Sequence, residues 1–563
     1  MILFCFAGCA EKTGDEIKEQ IGKEASADAV RLSMYLMSEE KVSDKQLLLM
    51  EQKVNELTEA KYKIHLELEY ATPTEYYAKL EANLAKMAEH YKGGSAGKTS
   101  DNPEYTDKNG LPKVHYPAIE PFDVDIFYFS GYEKYVEYKS LGYLRKIDEE
   151  MVGSAKALKA VINNSLVEQF KAVNGGYYAV PTNCAIGEYT YLLVNKDVLN
   201  TTHYSTKDIK SLVDENCQDL LEIVSSELKD YVPLYSSTGE LDTLGVKYFG
   251  TDATGLPTND FSIFGGTTNS AWTFGAQNSF PVMNSILDSA DNGNFGIKEQ
   301  INVLNGYKTK GYYGTEADAD KAFAVGYVKG GTEVVEKYAD DYEIVVVEKP
   351  TLEHKDLYEN LFAVAHNTNS VSASMEILTY LNTDEEFRNL LLYGVEGENY
   401  TWVDSEEFDA HGNPYRVVSR QTKDPDKLYL MDVFKTGNVA IAYPAVGDDP
   451  VASQRILDQN ADIVVDYVLG FSFYDGLKAE KIDKASFDAL VAVDTEAAAI
   501  YKELLAADTQ EKIDAAMTKL EALAQTDNFK AVMNSAEGST SPYAYYMSWL
   551  AEKKLYVAPT EAE

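Results

Sequence analysis

The residue patterns that are typical of enzyme active sites are each incomplete in this sequence. Gly93-Gly94-Ser95-Ala96-Gly97 fits the G-x-S-x-G pattern of a hydrolase nucleophile, but such a serine follows an apolar strand and precedes a helix. Here a helical pattern precedes the motif and a proline-rich stretch follows it, so a flexible loop is favoured. With Lys98 and Thr99 the same stretch resembles the end of a phosphate-binding loop, but Lys92 stands where that loop needs its first glycine.

Metal-binding patterns are also incomplete. Residues 288–294 with Glu299 match several positions of a calcium-binding loop, but Ala290 replaces the third ligand of a site that needs roughly six to eight oxygens. A turn that caps the following helix is favoured. The seven histidines show no metal-ligand spacing and Cys-x-x-Cys is absent, so we predict no metal and no other cofactor. The 91 carboxylates neither identify nor exclude an acid–base pair, because distances between carboxyl groups are not visible in a sequence.

Polar and aromatic residues at the ends of predicted strands are better candidates for a binding site. In open α/β sheets ligands bind at the carboxyl ends of the strands, and two predicted strands end in such residues. Further candidates lie in a segment predicted to connect two lobes, and two tryptophans offer faces for stacking. A role in packing is the alternative for each of them. The predicted ligand-binding residues are Ser38, Glu39, Glu40, Ser130, Gly131, Tyr132, Asn183, Glu188, Tyr189, Trp272 and Trp402.

The elements that would position these residues alternate between strand and helix. Apolar residues alternate over 30–36, which predicts a half-buried strand, and a helix follows in which Ser43 and Gln46 form a capping box. A second strand over 64–70 and a second helix repeat the pattern. This order indicates βαβ units and a mostly parallel sheet. Residues 92–121, rich in glycine and proline, are predicted to form a long loop.

Residues 175–199 indicate a connection between two lobes. A glycine pair leads into a short strand that Pro181 ends, and a polar turn with Gly187 leads into a second apolar strand. Such a segment suits a hinge, because a few residues at element ends can absorb the change in backbone angles when two lobes close. Beyond residue 487 the pattern is largely helical, and we predict helices packed on the outside of the second lobe. A membrane-active amphipathic tail is the alternative.

Composition and charge exclude one class of partner and favour another. The chain has 563 residues, of which 51 are basic and 91 acidic, so its net charge is −40. This charge repels nucleic acid backbones and anionic membrane surfaces, and we predict no nucleic acid partner. The 41 tyrosines and 21 phenylalanines favour a carbohydrate ligand, because aromatic faces stack on sugar rings and hydroxyl groups bind sugar hydroxyls.

The first residues predict a lipid anchor. Phe6-Ala7-Gly8-Cys9 resembles a bacterial lipobox, in which Cys9 is lipidated after cleavage. The basic region and most of the apolar core of a signal sequence are missing, so we predict a truncated signal. A frayed apolar N-terminus is the alternative. No later stretch has the ~20 apolar residues of a membrane-spanning helix. Cys184 and Cys217 are predicted to be unpaired thiols.

Four stretches, in this order, resemble the extracellular solute-binding proteins of ABC importers, in particular a Gram-positive lipoprotein branch of their family 1-like members. They are the first strand and its loop over 30–40, the strand and glycine turn over 124–132, the connection over 175–199, and the helices over 372–400. The resemblance implies an α/β, two-lobed type II periplasmic-binding-protein-like fold, with a hinge between the lobes and a helical C-terminal region. The predicted divisions are a lipoprotein signal with lipobox over 1–9, a flexible tether over 10–27, lobe 1 over 28–185 and 359–445, lobe 2 over 186–358 and 446–558, and a tail over 559–563.

The resemblance also implies a function. The chain is expected to be the substrate-binding component of an ABC transporter. It would capture an extracellular solute, most readily an oligosaccharide, in a cleft between the lobes and deliver it to the membrane permease subunits. We expect a monomer, lipid-anchored at the extracellular face of the bacterial cytoplasmic membrane, and no enzyme activity. Two alternatives stay open, an extracellular glycan-acting enzyme and a surface scaffold or adhesion protein, and peptides and other polar metabolites stay open as solutes.

Overall fold

The protein divides into two compact units. A computed structural model describes residues 29–92, 119–209, 212–237, 297–314, 321–408, 411–466 and 469–553, with five short strands between 246 and 285. Unit 1 holds the described residues of Met1–Ile186 and Leu352–Ala461, and unit 2 holds those of Gly187–Thr351 and Asp462–Glu563. The chain therefore passes from one unit to the other three times. Within the described ranges, no helix is both long and apolar enough to cross a membrane.

The elements are numbered along the chain. The strands are β1 (Val30–Met37), β2 (Ile64–Ala71), β3 (Ile126–Phe129), β4 (Val180–Pro181), β5 (Tyr189–Asn195), β6 (Val232–Ser236), β7 (Val246–Tyr248), β8 (Gly250–Thr251), β9 (Pro257–Thr258), β10 (Phe264–Thr267), β11 (Val282–Ser285), β12 (Phe323–Gly330), β13 (Tyr342–Glu348), β14 (Thr351–Leu352), β15 (Leu361–Val364), β16 (Tyr400–Phe408), β17 (Pro414–Arg420) and β18 (Val464–Val465). The helices are α1 (Asp44–Tyr62), α2 (Pro73–Tyr91), α3 (Tyr132–Ser140), α4 (Asp148–Val152), α5 (Leu158–Val161), α6 (Asn164–Asn174), α7 (Lys196–Thr202), α8 (Glu215–Glu227), α9 (Ile297–Thr309), α10 (Glu333–Tyr338), α11 (Val371–Thr383), α12 (Glu385–Tyr393), α13 (Ala452–Ala461), α14 (Phe473–Lys478), α15 (Lys484–Ala506), α16 (Gln510–Leu523), α17 (Asp527–Val532) and α18 (Pro542–Glu552). Short 3-10 turns lie at Lys355–Leu357, Pro425–Lys427, Val433–Lys435 and Val439–Ile441.

The sheet of unit 1 has the strand order β2-β1-β3-β15-β4. β1 runs parallel to β2 and β3, whereas β15 runs antiparallel to β3 and β4. The carboxyl ends of β1 to β4 and the amino end of β15 therefore meet at one edge of the sheet. We call this edge the carboxyl edge. It comprises the residues directly beyond those strand ends, which are Ser38, Thr72, Ser130, Thr182 and Asn360, together with the residues that follow them in the chain and those that contact these.

β1 is buried on both faces, so the prediction that this strand is half-buried is wrong. Leu32, Met34 and Leu36 have no exposed surface, and Ser33 and Tyr35 between them are almost as deeply buried. Helices α2 and α11 pack on β1, and helices cover both faces of a parallel sheet. For this reason the residues between the apolar ones, Ser33 and Tyr35, are buried as well.

The capping box predicted for α1 is only half formed. Ser43 precedes the helix and its Oγ accepts a hydrogen bond from Gln46 N at 3.3 Å. The Gln46 side chain does not bind the backbone N–H of Ser43, as a capping box requires. Instead its Nε2 donates to Asp426 O at 2.6 Å, and its Oε1 accepts from Asn399 Nδ2 at 2.7 Å. Gln46 is fully buried, so its amide needs partners for both ends inside unit 1.

Two of the three crossings lie away from their predicted positions. The first follows Ile186, beside the predicted 185, whereas the second follows Thr351 instead of 358 and the third follows Ala461 instead of 445. The residues from 352 to 358 belong to unit 1 because they pack there through an aromatic group described below. α13 belongs to unit 1 because it packs on the turn Val439–Ile441.

The sheet of unit 2 has the order β13-β5-β12-β6. β5 is antiparallel to both of its neighbours, and β12 is parallel to β6. The core of this unit combines Leu192 and Val194 of β5 with Leu490, Leu520 and Leu550 of the last helices. The helical C-terminal region that was predicted is thus present, and it forms part of the core of unit 2.

Candidate functional site

The carboxyl edge of unit 1 joins residues that are far apart in the sequence. Ser38, directly after β1, forms an antiparallel bridge with Met431. Asn360, directly before β15, donates its backbone N–H to Ser130 Oγ at 3.4 Å and accepts from Thr182 N at 2.9 Å. The predicted residues that follow β1 and β3 therefore share one edge with residues from the second half of the chain.

Ser38 is enclosed, and its neighbours form the polar surface. Ser38 has no exposed surface, its backbone N–H donates to Ala71 O at 3.0 Å, and its Oγ has no hydrogen-bond partner among the described residues. Glu39 and Glu40 are exposed. The Glu39 carboxylate lies 2.7 Å from Lys435 Nζ. Both predicted glutamates thus lie on the surface of the carboxyl edge, and one of them, Glu39, forms an ion pair with Lys435.

Residues 432–435 extend this polar surface. Lys435 Nζ lies 3.6 Å from Asp432 Oδ2 as well as close to Glu39. Between them in the chain, the Phe434 side chain is 44% exposed. An exposed aromatic ring between an acidic and a basic side chain can stack on an apolar face while its neighbours bind hydroxyl groups.

Gly131 makes the turn after β3 possible. Its φ is +100°, and its backbone N–H donates to Tyr358 O at 2.8 Å. This backbone conformation is open to glycine and strained for other residues. No heavy atom lies within 4 Å of the place a Cβ would occupy, so the backbone angle, rather than crowding, requires glycine here.

Two tyrosine hydroxyls line the same turn. Tyr77 Oη accepts from Ser130 N at 3.3 Å, and Tyr128 Oη donates to Asn360 Oδ1 at 2.7 Å. Burial raises the pKa of both hydroxyls; for Tyr77, Lys134 and Lys435 nearby act against the rise. Both therefore stay protonated near neutral pH and can donate as well as accept hydrogen bonds.

Tyr132 belongs to a group of three aromatic rings. Its ring centroid lies 4.7 Å from that of His354 and 4.8 Å from that of Tyr358, and the last two are 4.9 Å apart. Tyr132 and His354 are both half-buried. Burial lowers the pKa of His354 to about 4, so the imidazole is neutral at pH 7. Burial also raises the pKa of Asp356 to about 6.

Asn183 is held inside unit 1. Its Nδ2 donates to Asn438 Oδ1 at 3.0 Å, and its backbone carbonyl accepts from Val439 N at 2.8 Å. The residue is almost fully buried. In this structure Asn183 ties the end of β4 to the turn at Val439–Ile441.

The other predicted residues lie elsewhere. Glu188 and Tyr189 belong to unit 2, where Glu188 is exposed and buried Tyr189 donates its hydroxyl to Asp462 Oδ2 at 3.1 Å. Trp402 lies on the hairpin of β16 and β17, with its ring centroid 4.9 Å from that of Tyr443 and 5.5 Å from the Arg416 guanidinium. Its neighbours are hairpin residues and the segment that follows, so the structure does not join it to the carboxyl edge.

Several sequence predictions fall outside the described residues. These are the lipidation of Cys9, the tether over 10–27, the tail over 559–563, Trp272, the G-x-S-x-G motif over 93–97 and residues 288–294 of the calcium-like loop. Among the residues that are described, no group of three or more histidine, cysteine, aspartate or glutamate side chains could hold a metal ion. Cys184 and Cys217 are free thiols, as predicted.

Sequence reasoning missed His354, Asn360, Phe434 and Lys435. Each reaches the carboxyl edge from the second half of the chain, through the return strand β15 or the irregular chain after β17. Asn360 has one local signal, since asparagine tolerates the positive φ of 54° that it adopts. The other three carry no pattern that marks them as site residues.

Comparison with known proteins places the fold. No protein-family model and no curated protein matches the chain. The N-glycan transport solute binding protein of Streptococcus pneumoniae is 17% identical to it, with 93% of this chain and 100% of that chain covered and a TM-score of 0.51. An extracellular solute-binding protein from Bifidobacterium longum subsp. infantis is 13% identical, with 90% of this chain and 98% of that chain covered and a TM-score of 0.43.

The likeness to the Streptococcus pneumoniae protein shows that the chain has the fold of that solute binding protein. The predicted α/β, two-lobed binding-protein fold is confirmed. Sequence identity of this size shows the fold alone, because one fold can carry unrelated binding sites.

Proposed function

We propose that the protein captures an extracellular solute for an ABC importer, and that this solute is a carbohydrate or oligosaccharide. The fold supports the first part of the proposal. The second part depends on the side chains at the carboxyl edge, which combine aromatic rings with polar groups. The predicted binding of the solute between the two lobes stays a prediction.

The observation that carries the carbohydrate proposal is the combination of ring faces and hydroxyl partners on one sheet edge. Half-buried Tyr132 packs with His354 directly after the turn that contains Ser130. Phe434 is exposed on the chain that pairs with the end of β1. Sugar rings present apolar faces and equatorial hydroxyls, so a site for them needs aromatic surfaces beside groups that donate and accept hydrogen bonds.

The charges of the edge favour a neutral solute. Lys435 is paired with Glu39 and lies close to Asp432, and His354 is neutral at pH 7 because burial lowers its pKa to about 4. Neither Lys435 nor His354 therefore offers an unpaired positive charge to an anionic sugar. We therefore infer that uncharged oligosaccharides are preferred over sialylated or uronic-acid sugars.

The remaining parts of the proposal rest on the sequence. We infer that a lipid on Cys9 holds the protein at the extracellular face of the bacterial cytoplasmic membrane, because Phe6-Ala7-Gly8-Cys9 resembles a lipobox. We infer that the protein is a monomer without enzyme activity and that it delivers its solute to a pair of permease subunits. Loss of labelling by a fatty-acid probe in Cys9→Ser would support the anchor, and unchanged labelling would contradict it.

Thermal unfolding against a solute panel tests the carbohydrate proposal. The panel contains maltotriose, chitotriose, a neutral N-glycan oligosaccharide, tripeptides and amino acids. A solute at ~100 times its Kd stabilises the folded state by about 2.7 kcal/mol. We expect a rise in unfolding temperature with a neutral oligosaccharide, which is recovered unchanged. A rise with peptides alone would contradict the carbohydrate proposal, and consumption of the sugar would support an enzyme.

A pair of tyrosine variants localises the site. Tyr132→Leu removes the ring at the carboxyl edge and is expected to raise the Kd of the bound sugar about 5- to 30-fold, the equivalent of ~1 to 2 kcal/mol of stacking. Tyr62→Leu is the matched control, because Tyr62 is also half-buried and also packs on one tyrosine, Tyr380, with centroids 5.3 Å apart. Tyr62 ends α1, away from the carboxyl edge. Equal effects of the two substitutions would refute the assignment.

A further inference from the structure

Helix α12 carries a charged side chain into the interior of unit 1. Arg388 has no exposed surface. Its Nη2 donates to Val433 O at 2.9 Å and its Nη1 to Asn389 Oδ1 at 3.4 Å, whereas Nε has no hydrogen-bond partner among the described residues. Burial lowers the pKa of Arg388 to about 9; Tyr393 acts against this and Arg420 adds to it. No carboxylate is among these groups.

A buried arginine without a carboxylate partner is unfavourable for folding. Removing a charged group from water costs several kcal/mol unless it is paired, and an apolar side chain of similar volume is often the more stable choice. Because Arg388 is not explained by stability, we expect its role to lie in the groups that its guanidinium holds in place. Its shortest hydrogen bond is to the backbone of Val433.

Val433 lies in an irregular stretch, residues 430–435, which we call the 430–435 segment. Apart from the 3-10 turn at Val433–Lys435 it has no regular structure, yet four consecutive carbonyls in it each accept a hydrogen bond. From residue 430 to residue 433, the nearest donors are Glu39 N (2.9 Å), Arg420 Nη2 (3.1 Å), Thr436 Oγ1 (3.0 Å) and Arg388 Nη2 (2.9 Å). Lys435 N also donates to the carbonyl of residue 432 at 3.1 Å, and Thr436 Oγ1 lies 3.4 Å from that of residue 433, so Arg388 is the nearer of the two donors to Val433. Three of the four nearest donors are side chains, so side chains satisfy most of the carbonyls that a neighbouring strand would satisfy in a sheet.

The 430–435 segment runs along the carboxyl edge: Met431 forms a bridge with Ser38, and Lys435 Nζ lies 2.7 Å from the Glu39 carboxylate. Asp432 and exposed Phe434 lie between these two contacts in the chain. Val433, the residue that Arg388 holds, stands between Asp432 and Phe434 in the chain. A shift of its carbonyl would move the side chains on both sides.

We propose that Arg388 is a positioning residue for solute binding: its hydrogen bond to the Val433 carbonyl sets where Asp432 and Phe434 lie at the carboxyl edge. The guanidinium itself is enclosed, so it acts through the 430–435 segment. The effect of Arg388 on solute binding rests on the proposed function, whereas its effect on the position of the 430–435 segment does not.

Amide hydrogen exchange without solute tests the structural part. Arg388→Met fills much of the same space but donates no hydrogen bond. We expect the amides of Phe434 and Lys435 to exchange about ten- to a hundredfold faster, because a hydrogen bond from a charged group is lost. The amides of β2 should change much less. Arg388→Lys keeps a charged donor and is expected to lie between the wild type and Arg388→Met.

Leu392→Ala is the matched control, because Leu392 is a fully buried apolar residue of the same helix. Its cavity lowers the stability of unit 1 without removing a donor from the 430–435 segment. We expect Leu392→Ala to accelerate exchange in the segment and in β2 alike. If Arg388→Met shows that same uniform pattern, Arg388 is an ordinary structural residue and the proposal is overturned.

Solute binding is measured with the neutral oligosaccharides of the panel. For an oligosaccharide that binds the wild type, we expect Arg388→Met to raise the Kd at least tenfold and Leu392→Ala to raise it less than threefold. Equal Kd values for the wild type and Arg388→Met would overturn the role in binding. Binding of no saccharide, together with faster exchange confined to the segment, would refute the proposed function and leave the positioning of the segment supported.

Discussion

Asp125 gives unit 1 a pH dependence that is opposite to that of most acidic side chains. It directly precedes β3 and has no exposed surface. Oδ1 accepts from Thr368 Oγ1 at 2.6 Å and Asn369 N at 2.5 Å, and Oδ2 accepts from Ser33 N at 2.8 Å. Burial raises the pKa of Asp125 from 3.8 to about 6 in spite of these hydrogen bonds, and the charge of Asp123 adds to the rise.

The direction of the effect follows from proton linkage. Between pH 4 and pH 6 the folded state binds a proton at Asp125 more readily than the unfolded state, so the free energy of unfolding falls as pH rises. The stabilising contribution is fully present below the unfolded pKa of 3.8 and is lost as pH rises through about 6. Between pH 4 and pH 7 this loss is about 2 kcal/mol.

Asp125→Asn removes the titration. The amide keeps one oxygen as an acceptor, but its Nδ2 faces N–H donors, so we expect a loss of ~2 to 4 kcal/mol in the free energy of unfolding at pH 7. The advantage of the wild type over Asp125→Asn should be about 2 kcal/mol larger at pH 4 than at pH 7. Hydrogen exchange of the β1 and β3 amides measures this difference in unit 1, with both proteins compared at each pH.

Thr368→Val is the control for Asp125→Asn. It removes one hydrogen bond to Asp125 Oδ1 but keeps the carboxyl group, so a pH-dependent contribution should persist. A difference between the wild type and Asp125→Asn that stays constant from pH 4 to pH 7 would refute the reasoning, because it would show that the buried carboxyl does not titrate in this range.

Two further predictions concern Gly131 and Cys184. Gly131→Ala should destabilise the protein by ~1 to 2 kcal/mol in urea unfolding, because alanine is strained at a φ of +100°. Gly306→Ala, inside helix α9 with open space at its Cβ, should instead be neutral or stabilising, and equal effects would contradict the backbone argument. Burial raises the pKa of the Cys184 thiol to about 12, so with the other cysteines replaced by serine its reaction with a disulfide reagent at pH 8 should be at least about tenfold slower than that of free cysteine. A rate close to that of free cysteine would show that the thiol is accessible and ionises normally.

The arrangement of strands and helices could be predicted because it follows from short-range pattern. Alternating apolar residues over 30–36 and 64–70 predicted β1 and β2, and the helical patterns between them required a parallel sheet. The same patterns could not show that β1 is buried on both faces, because alternation in one strand does not reveal how many helices cover it. Ser33 and Tyr35 are enclosed by residues that are distant in the sequence.

Half of the candidate site could be predicted for the same reason. Residues directly after a parallel strand lie at the carboxyl edge whatever the rest of the chain does, which is why Glu39, Ser130 and Tyr132 were accessible to sequence reasoning. The first crossing was accessible too, since Gly187 marks it. The second and third crossings depend on the packing of Tyr358 and α13 within unit 1, and neither interaction has a local signature.

The part of the candidate site that could not be predicted is the 430–435 segment. The 430–435 segment has little regular structure, and its position depends on donors at residues 39, 388, 420 and 436. Thr436 directly follows the segment, but no local pattern connects it with residues 39, 388 and 420, which lie in three other parts of the chain. A relative with the same strands but without this set of donors would place other side chains beside the end of β1. Its solute could then differ although its fold did not, and for this reason the solute must be argued from Asp432, Phe434 and Lys435 rather than from the fold.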